Sequence, residues 1–289
     1  MSILDQLSQI VDLPTIPTTV THIMEITNRE DSTIADLARV VMADQALSAK
    51  LLRVANSPFY SMPRKVSDIE RAIALLGFRE VRDLSLSISV FDSLYMPTKA
   101  GAYFDRARFW EHCFVVAFLT RELARAQQQS GGNAFTAGLL HDVGKVFLDK
   151  YFPDLFRSIV SRVTSAGISF REAEQTLVGI GHDEVGAFLL KHWNLPDDLA
   201  AGAGGHHTPE VNPDPMAVLT FCANTLAHIG GFAATDNEPK TDLDSFLASP
   251  TAQALRAAKR LPSEKVLARL VVRLEEEGES LSAHAAMLV

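Results

Sequence analysis

The chain has 289 residues, of which 47% are hydrophobic, 21% charged and 8% aromatic, a globular composition that excludes disorder of the whole chain. Its 27 basic and 35 acidic residues leave a formal net charge of −8, so the chain as a whole lacks the positive field that drives non-specific nucleic-acid binding. Apolar stretches such as Phe114 to Leu119 fall far short of the roughly 18–20 residues needed to cross a bilayer.

The opening residues contain Asp5 and no basic or apolar leader, so no secretory signal is read there and a cytoplasmic location is expected. Cys113 and Cys222 lie far apart and in no C-x-x-C spacing, which points to buried, inert thiols rather than a disulfide or a thiolate zinc site.

Helical periodicity runs from end to end and strand alternation is missing, so the expected fold is all-α. Ile34, Leu37, Val40 and Val41 mark one amphipathic helix, with Ser32 or Thr33 as N-cap and Asp36 placed to favour the helix dipole. A second helix starts near Asp44 and carries Leu47, Leu51, Leu52 and Val54 before Ser57-Pro58 stops it. Ser67 to Leu76 and Val81 to Phe91 read as two more, separated by Gly77. A lobe boundary is expected near residues 94–103, around Gly101.

The second lobe opens with a long helix from Phe104 to Ala126, which ends in a polar loop containing Gly131-Gly132. Helices at 134–149, 153–166, 169–178, 182–192, 196–204 and 215–229 are expected next. Residues 233–249 read as a loop before a C-terminal helical segment, and the acidic run Glu275 to Glu279 reads as a solvated helix end. The expected organisation is a helical lobe over residues 1–98, a helical domain over 99–232, and a loop with a C-terminal segment over 233–289.

Of the nine histidines, five in one half of the chain stand in a distinctive order: His112, His141-Asp142, His182 and His206-His207. Any one of them alone reads as an ordinary hydrogen-bonded histidine. Together, five imidazoles and one carboxylate can supply one or two ions, because imidazole with carboxylate suits iron, manganese, zinc or nickel. In helical bundles such sites are built from inward-pointing side chains on facing helices. His141 and Asp142 are neighbours about 100° apart on a helix, so both reach one ion only near a helix crossing. Gly204-Gly205 before His206 permits close backbone approach. Lys145 shares the face of Asp142, where it either neutralises that carboxylate or meets a substrate phosphate. His22, His192, His228 and His284 have no such companions and read as structural.

The string Ala137-Gly-Leu-Leu-His-Asp-Val-Gly-Lys145, with Phe109-Trp-Glu-His112 before it and His206-His207 after it, resembles the HD superfamily of metal-dependent phosphohydrolases. More closely, the chain resembles the HDOD family. The carriers are Leu13-Pro-Thr-Ile-Pro17, Asp44-Gln-Ala-Leu-Ser-Ala-Lys-Leu-Leu-Arg-Val-Ala-Asn-Ser57, Ala72-Ile-Ala-Leu-Leu-Gly77 and Gly181-His-Asp-Glu-Val-Gly-Ala-Phe-Leu-Leu-Lys-His-Trp-Asn-Leu-Pro196. The resemblance implies an HD-like helical bundle with an N-terminal helical lobe, acting as an output module of bacterial signalling. Similarity to the HD-GYP phosphodiesterases implies metal-ligand roles for His112, His141, Asp142, His182, His206 and His207. It also implies an aspartate near Ala223-Asn224-Thr225, where this chain has Asn224, and a Gly-Tyr-Pro triplet where it has Thr208-Pro209-Glu210. An amide has one acceptor oxygen and no charge, so this exchange weakens cation binding.

Three functions follow, in order of weight. The first is a signalling module with a divalent metal site, iron or manganese before zinc or nickel, that binds a protein partner supplying its input. The second is a working phosphohydrolase on a nucleotide or cyclic dinucleotide, with Asp142 and Lys145 at the reaction centre. The third is nucleic-acid binding through Lys50, Arg53, Arg64, Lys65, Arg71, Arg79 and Arg82, which neighbouring Asp68, Glu70, Glu80 and Asp83 offset.

Overall fold

The structure is a computed structural model that describes residues 18–27, 29, 31–57, 64–94, 103–128, 133–211, 213–235 and 240–288. Among the described residues every regular element is helical, and no helix is long and apolar enough to cross a membrane. The chain divides into two compact units, one built on Thr15–Pro97 and Glu277–Val289, the other on Thr98–Glu276. Leu13–Pro17, Pro58, Gly101 and Gly131-Gly132, all used above, lie outside the described residues.

The first unit holds α1 (Thr18–Thr27), α2 (Ile34–Ala43), α3 (Gln45–Ala55), α4 (Ile69–Leu76) and α5 (Phe78–Leu94). Helix α1 was not expected, yet Val20, Ile23 and Met24 sit at helical spacing and are buried. Thr33 caps α2 in a capping box with Asp36, as the sequence predicts. Asp44 and Asp68 cap α3 and α4 through their side chains. Gly77 ends α4 at φ +94°, a conformation that disfavours any residue with a Cβ. Arg82 forms a buried ion pair with Asp83, and Lys50 pairs with Asp92, so two cations of the nucleic-acid reading are already matched.

The second unit is organised around α6 (Arg106–Ala126), capped by Asp105 and buried along most of its length. Its Phe109, Cys113, Val116 and Phe118 are closed to solvent, and α6 packs against α7 (Ala134–Leu140) and α13 (Pro215–Ile229). A Cβ on Gly138 would stand 2.6 Å from Ala117 Cα, so glycine is what lets α6 and α7 touch. The remaining helices are α8 (Val143–Tyr151), α9 (Pro153–Ala166), α10 (Phe170–Leu177), α11 (His182–His192) and α12 (Asp197–Gly205), followed by α14 (Leu243–Ala248), α15 (Pro250–Ala257) and α16 (Glu264–Leu288), whose residues from Glu277 onward belong to the first unit. Cys113 and Cys222 are free and buried, and burial pushes the Cys222 thiol up to about 12.

Three expectations differ from the structure. The helix expected over 134–149 is two, broken by a turn at His141-Asp142. Residues 243–248 are helical rather than loop because Asp242 caps them from its side chain. The acidic run at 275–279 lies within α16, with Glu275, Glu276 and Glu279 exposed, not at a helix end.

Candidate metal centre

The break at His141-Asp142 builds the centre. Asp142 occupies the N-cap position of α8, where aspartate is favoured, but its carboxylate makes no capping hydrogen bond. It turns inward instead, and the break lets two sequence neighbours aim at one point. A Cβ on Gly144 would stand 2.1 Å from the His182 carbonyl oxygen, so only glycine allows α8 to lie against the start of α11. His206 and His207 follow α12, whose Gly205 faces Ala217 so closely that a Cβ would meet the alanine methyl at 2.5 Å.

All six residues expected as ligands converge. His112 Nε2 lies 3.3 Å from His141 Nε2, and His182 Nε2 lies 3.4 Å from His206 Nε2 and 3.0 Å from His207 Nε2. Asp142 stands between the two sets. Its Oδ2 is 3.4 Å from His141 Nε2 and 3.8 Å from His112 Nε2. Its Oδ1 is 3.0 Å from His182 Nε2 and 3.5 Å from His206 Nε2. Lys145 Nζ donates to Asp142 Oδ2 at 2.7 Å and lies 5.0 Å from the centre of the Phe170 ring. His112, His141, Asp142, His182 and His206 are at most 1% exposed, whereas His207 is half-buried.

The outer nitrogens explain why the inner ones point inward. Nδ1 of His112 donates to the Phe232 carbonyl at 2.6 Å, Nδ1 of His141 to Gly138 at 2.7 Å, and Nδ1 of His206 to Ala203 at 2.6 Å. Nδ1 of His182 donates to Glu174 Oε2 at 2.7 Å, an oxygen that also accepts from the His182 backbone N–H. Each Nδ1–H is therefore fixed, and in a neutral ring Nε2 presents a lone pair.

The charges follow from this. Burial holds His112 well below the ordinary histidine range, with His141 and His228 adding to it. Burial likewise lowers His141 to about 3 and holds His207 well below its ordinary range. At His182 burial also opposes the charge, but the carboxylates of Glu174 and Asp142 override it and raise the ring to about 9. Burial works against the Asp142 carboxylate, and the neighbouring His141, Lys145 and His182 nevertheless hold it well below the usual carboxylate range.

Two neutral rings, His112 and His141, thus face each other with acceptor nitrogens at 3.3 Å, an arrangement that a shared cation relieves. Residues offering ligand atoms within 4.8 Å of one another form two groups, His112/His141/Asp142 and His182/His206/His207. Nitrogen donors with a carboxylate, each fixed from behind, fit divalent transition-metal ions.

Sequence reasoning missed Glu174, which is fully buried on α10 among the apolar positions Phe170 and Ala173. A carboxylate on a buried helical stripe was the available signal. His228, read as structural, lies with its ring 5.4 Å from that of His112. Asn224 is one turn from His228 on α13, and its Oδ1 is buried without a hydrogen-bond partner.

A family model of the HDOD domain matches residues 13–209. The structure is similar to that of an HDOD domain protein of unknown function from Geobacter sulfurreducens, with TM-score 0.83 and 26% identity over 99% of this chain and 96% of the other. A protein from Shewanella amazonensis SB2B described as a candidate phosphohydrolase is similar with TM-score 0.77 and 26% identity, covering 98% of this chain and 97% of that one. An uncharacterized protein of Treponema pallidum is 24% identical over 261 residues, 88% of this chain and 50% of the relative. The chain spans half or less of the length of the curated relatives it matches.

Proposed function

The chain belongs to the HDOD family, and from that premise we propose that it is a cytoplasmic bacterial regulatory module whose histidine-rich unit holds one or two divalent metal ions and acts by binding a partner or ligand. The observation that carries this reading is the convergence of four Nε2 atoms, those of His112, His141, His182 and His206, on the two oxygens of Asp142, each of these rings having Nδ1 fixed from behind, with His207 Nε2 beside that of His182. His112, His141 and Asp142 Oδ2 would hold one ion, and His182, His206, His207 and Asp142 Oδ1 the other. Iron and manganese suit this donor set, as do zinc and nickel. When bound, such ions supply Lewis-acid stabilisation of phosphoryl oxygens and an activated water.

The residues of the chain itself favour retention over turnover. Five of the six ligand side chains are closed to solvent, which limits competition from water for a bound ion. Asn224 stands where the HD-GYP pattern calls for a further carboxylate. A second reading, a phosphohydrolase of nucleotides or cyclic dinucleotides, draws on Lys145 beside Asp142, whose ammonium is placed to meet phosphate charge. The Shewanella amazonensis neighbour supports the same reading.

Elemental mass spectrometry on protein purified without added metal or a histidine-rich tag tests the proposal, with His141→Ala as control. One or two equivalents of metal, lost in the control, are expected. No metal bound, and none taken up on titration, refutes both readings. Turnover of bis(p-nitrophenyl) phosphate by the loaded protein, lost in Asp142→Asn, would move the weight to the second.

A further inference from the structure

The metal centre meets the surface at His207, the half-buried member of the set. His207 forms part of the wall of a cleft of about 700 Å³, whose other walls include Arg162 from α9, and Arg171, Gln175 and Thr176 from α10. That volume lies in the range of small-molecule sites and exceeds what a bare phosphate fills.

The two arginines are prepared differently. Arg171 is anchored: its Nε donates to the buried carboxylate of Asp183 at 3.1 Å, which leaves its terminal nitrogens to the cleft. The Arg162 guanidinium, on an exposed residue, has no side-chain partner among the described residues. Glu172, the acidic side chain in the wall, is turned into its own helix start, accepting from the backbone N–H and hydroxyl of Ser169 at 2.9 and 2.8 Å. The cleft therefore offers an anchored guanidinium fork, an uncommitted one, and beyond His207 the strongest positive charge in the unit once ions are bound.

Arginine forks match planar pairs of oxygens. A carboxylate has two oxygens and is used up by one fork. A phosphoryl group has three, so after one fork has taken two a third oxygen remains, between the second guanidinium and the His207 wall. No Phe, Tyr or Trp ring lines the cleft, and Ile168, Gln175 and Thr176 are left to hold the remainder of the molecule.

We propose that this cleft is a binding site for an organic phosphate, gripped by Arg162 and Arg171 with its phosphoryl group toward His207. The proposal deepens the metal-centre reading and rests on it.

Isothermal titration calorimetry of the full chain with adenosine 5′-monophosphate, and separately with inorganic phosphate, tests it, with metal content measured on the same samples. The metal-loaded protein is expected to bind the nucleotide more tightly than phosphate. Arg162→Gln is expected to weaken nucleotide binding at least tenfold with metal content unchanged, while Arg157→Gln, an exposed arginine on the same helix, leaves it intact. Three results overturn the cleft assignment and leave the metal centre standing: no nucleotide binding by fully loaded protein, equal binding of phosphate and nucleotide, or equal losses in the two arginine variants. Protein that takes up no metal removes the underlying reading and the ligand site with it.

Discussion

The charge on His182 makes metal uptake a proton-coupled event. In the metal-free protein the ring titrates at about 9, because Glu174 and Asp142 overcome the opposing effect of burial. At pH 7 it is therefore almost wholly protonated, and a cation that takes Nε2 must displace that proton. His141 titrates at about 3, His112 and His207 lie well below the ordinary histidine range, and Asp142 is already ionised, so these four have none to give. The sign follows: affinity rises with pH, by about tenfold per pH unit well below 9, and levels above it, so the gain from pH 7 to 9 is about 50-fold. Calorimetric titration of manganese into chelator-stripped protein, in buffers of low and high ionisation enthalpy, reads this directly as about one proton released at pH 7. Glu174→Gln supplies the control. The amide oxygen still accepts from Nδ1–H, but the charge that held the proton is gone, so burial prevails and proton release falls toward zero. Equal affinity at pH 7 and 9 in the unaltered protein, with no proton released, refutes the reasoning.

Other perturbations test the packing and the ligand set. Gly144→Ala places a methyl 2.1 Å from the His182 carbonyl and 2.9 Å from the Gly186 nitrogen; the forced separation of α8 and α11 is expected to cost about 1–3 kcal/mol in urea denaturation and to weaken metal retention. An unchanged midpoint would count against the close approach. Asn224→Asp supplies a carboxylate in place of a buried, unpartnered amide oxygen and is expected to tighten divalent-ion binding at least tenfold in chelator competition; no change places Asn224 outside the ligand shell. Asp149 accepts from the Tyr103 hydroxyl at 2.9 Å and from the Arg106 guanidinium, and is itself buried. Asp149→Ala removes that shared acceptor, and because Arg106 keeps some solvent contact the expected loss is about 2–3 kcal/mol rather than the full cost of breaking a buried pair. A loss below about 1 kcal/mol would show the network to be incidental.

The difference between what the sequence reveals and what it conceals at this site is a difference between local and distant determinants. The caps Thr33, Asp44 and Asp68 act within three residues, and their helices were legible for that reason. The six converging residues could be named because imidazole and carboxylate are rare in buried helices, not because their geometry could be derived. The turn at His141-Asp142 escaped the periodicity analysis, since both flanking segments keep an apolar pattern and Asp142, a strong capping residue, does not cap. What fixes each ring from behind lies on another segment for His112, which needs the Phe232 carbonyl 120 residues away. For His141 and His206 the acceptor is three residues back, but it becomes available only where a helix ends. Glu174 is the instructive case. It occupies the apolar stripe of α10, where an unpaired carboxylate would be costly, and that cost is itself the signal that a partner must exist. The same argument applies to the Asn224 amide: its Oδ1 is closed to solvent without a hydrogen bond from the protein, so a buried water or an ion is what would satisfy it.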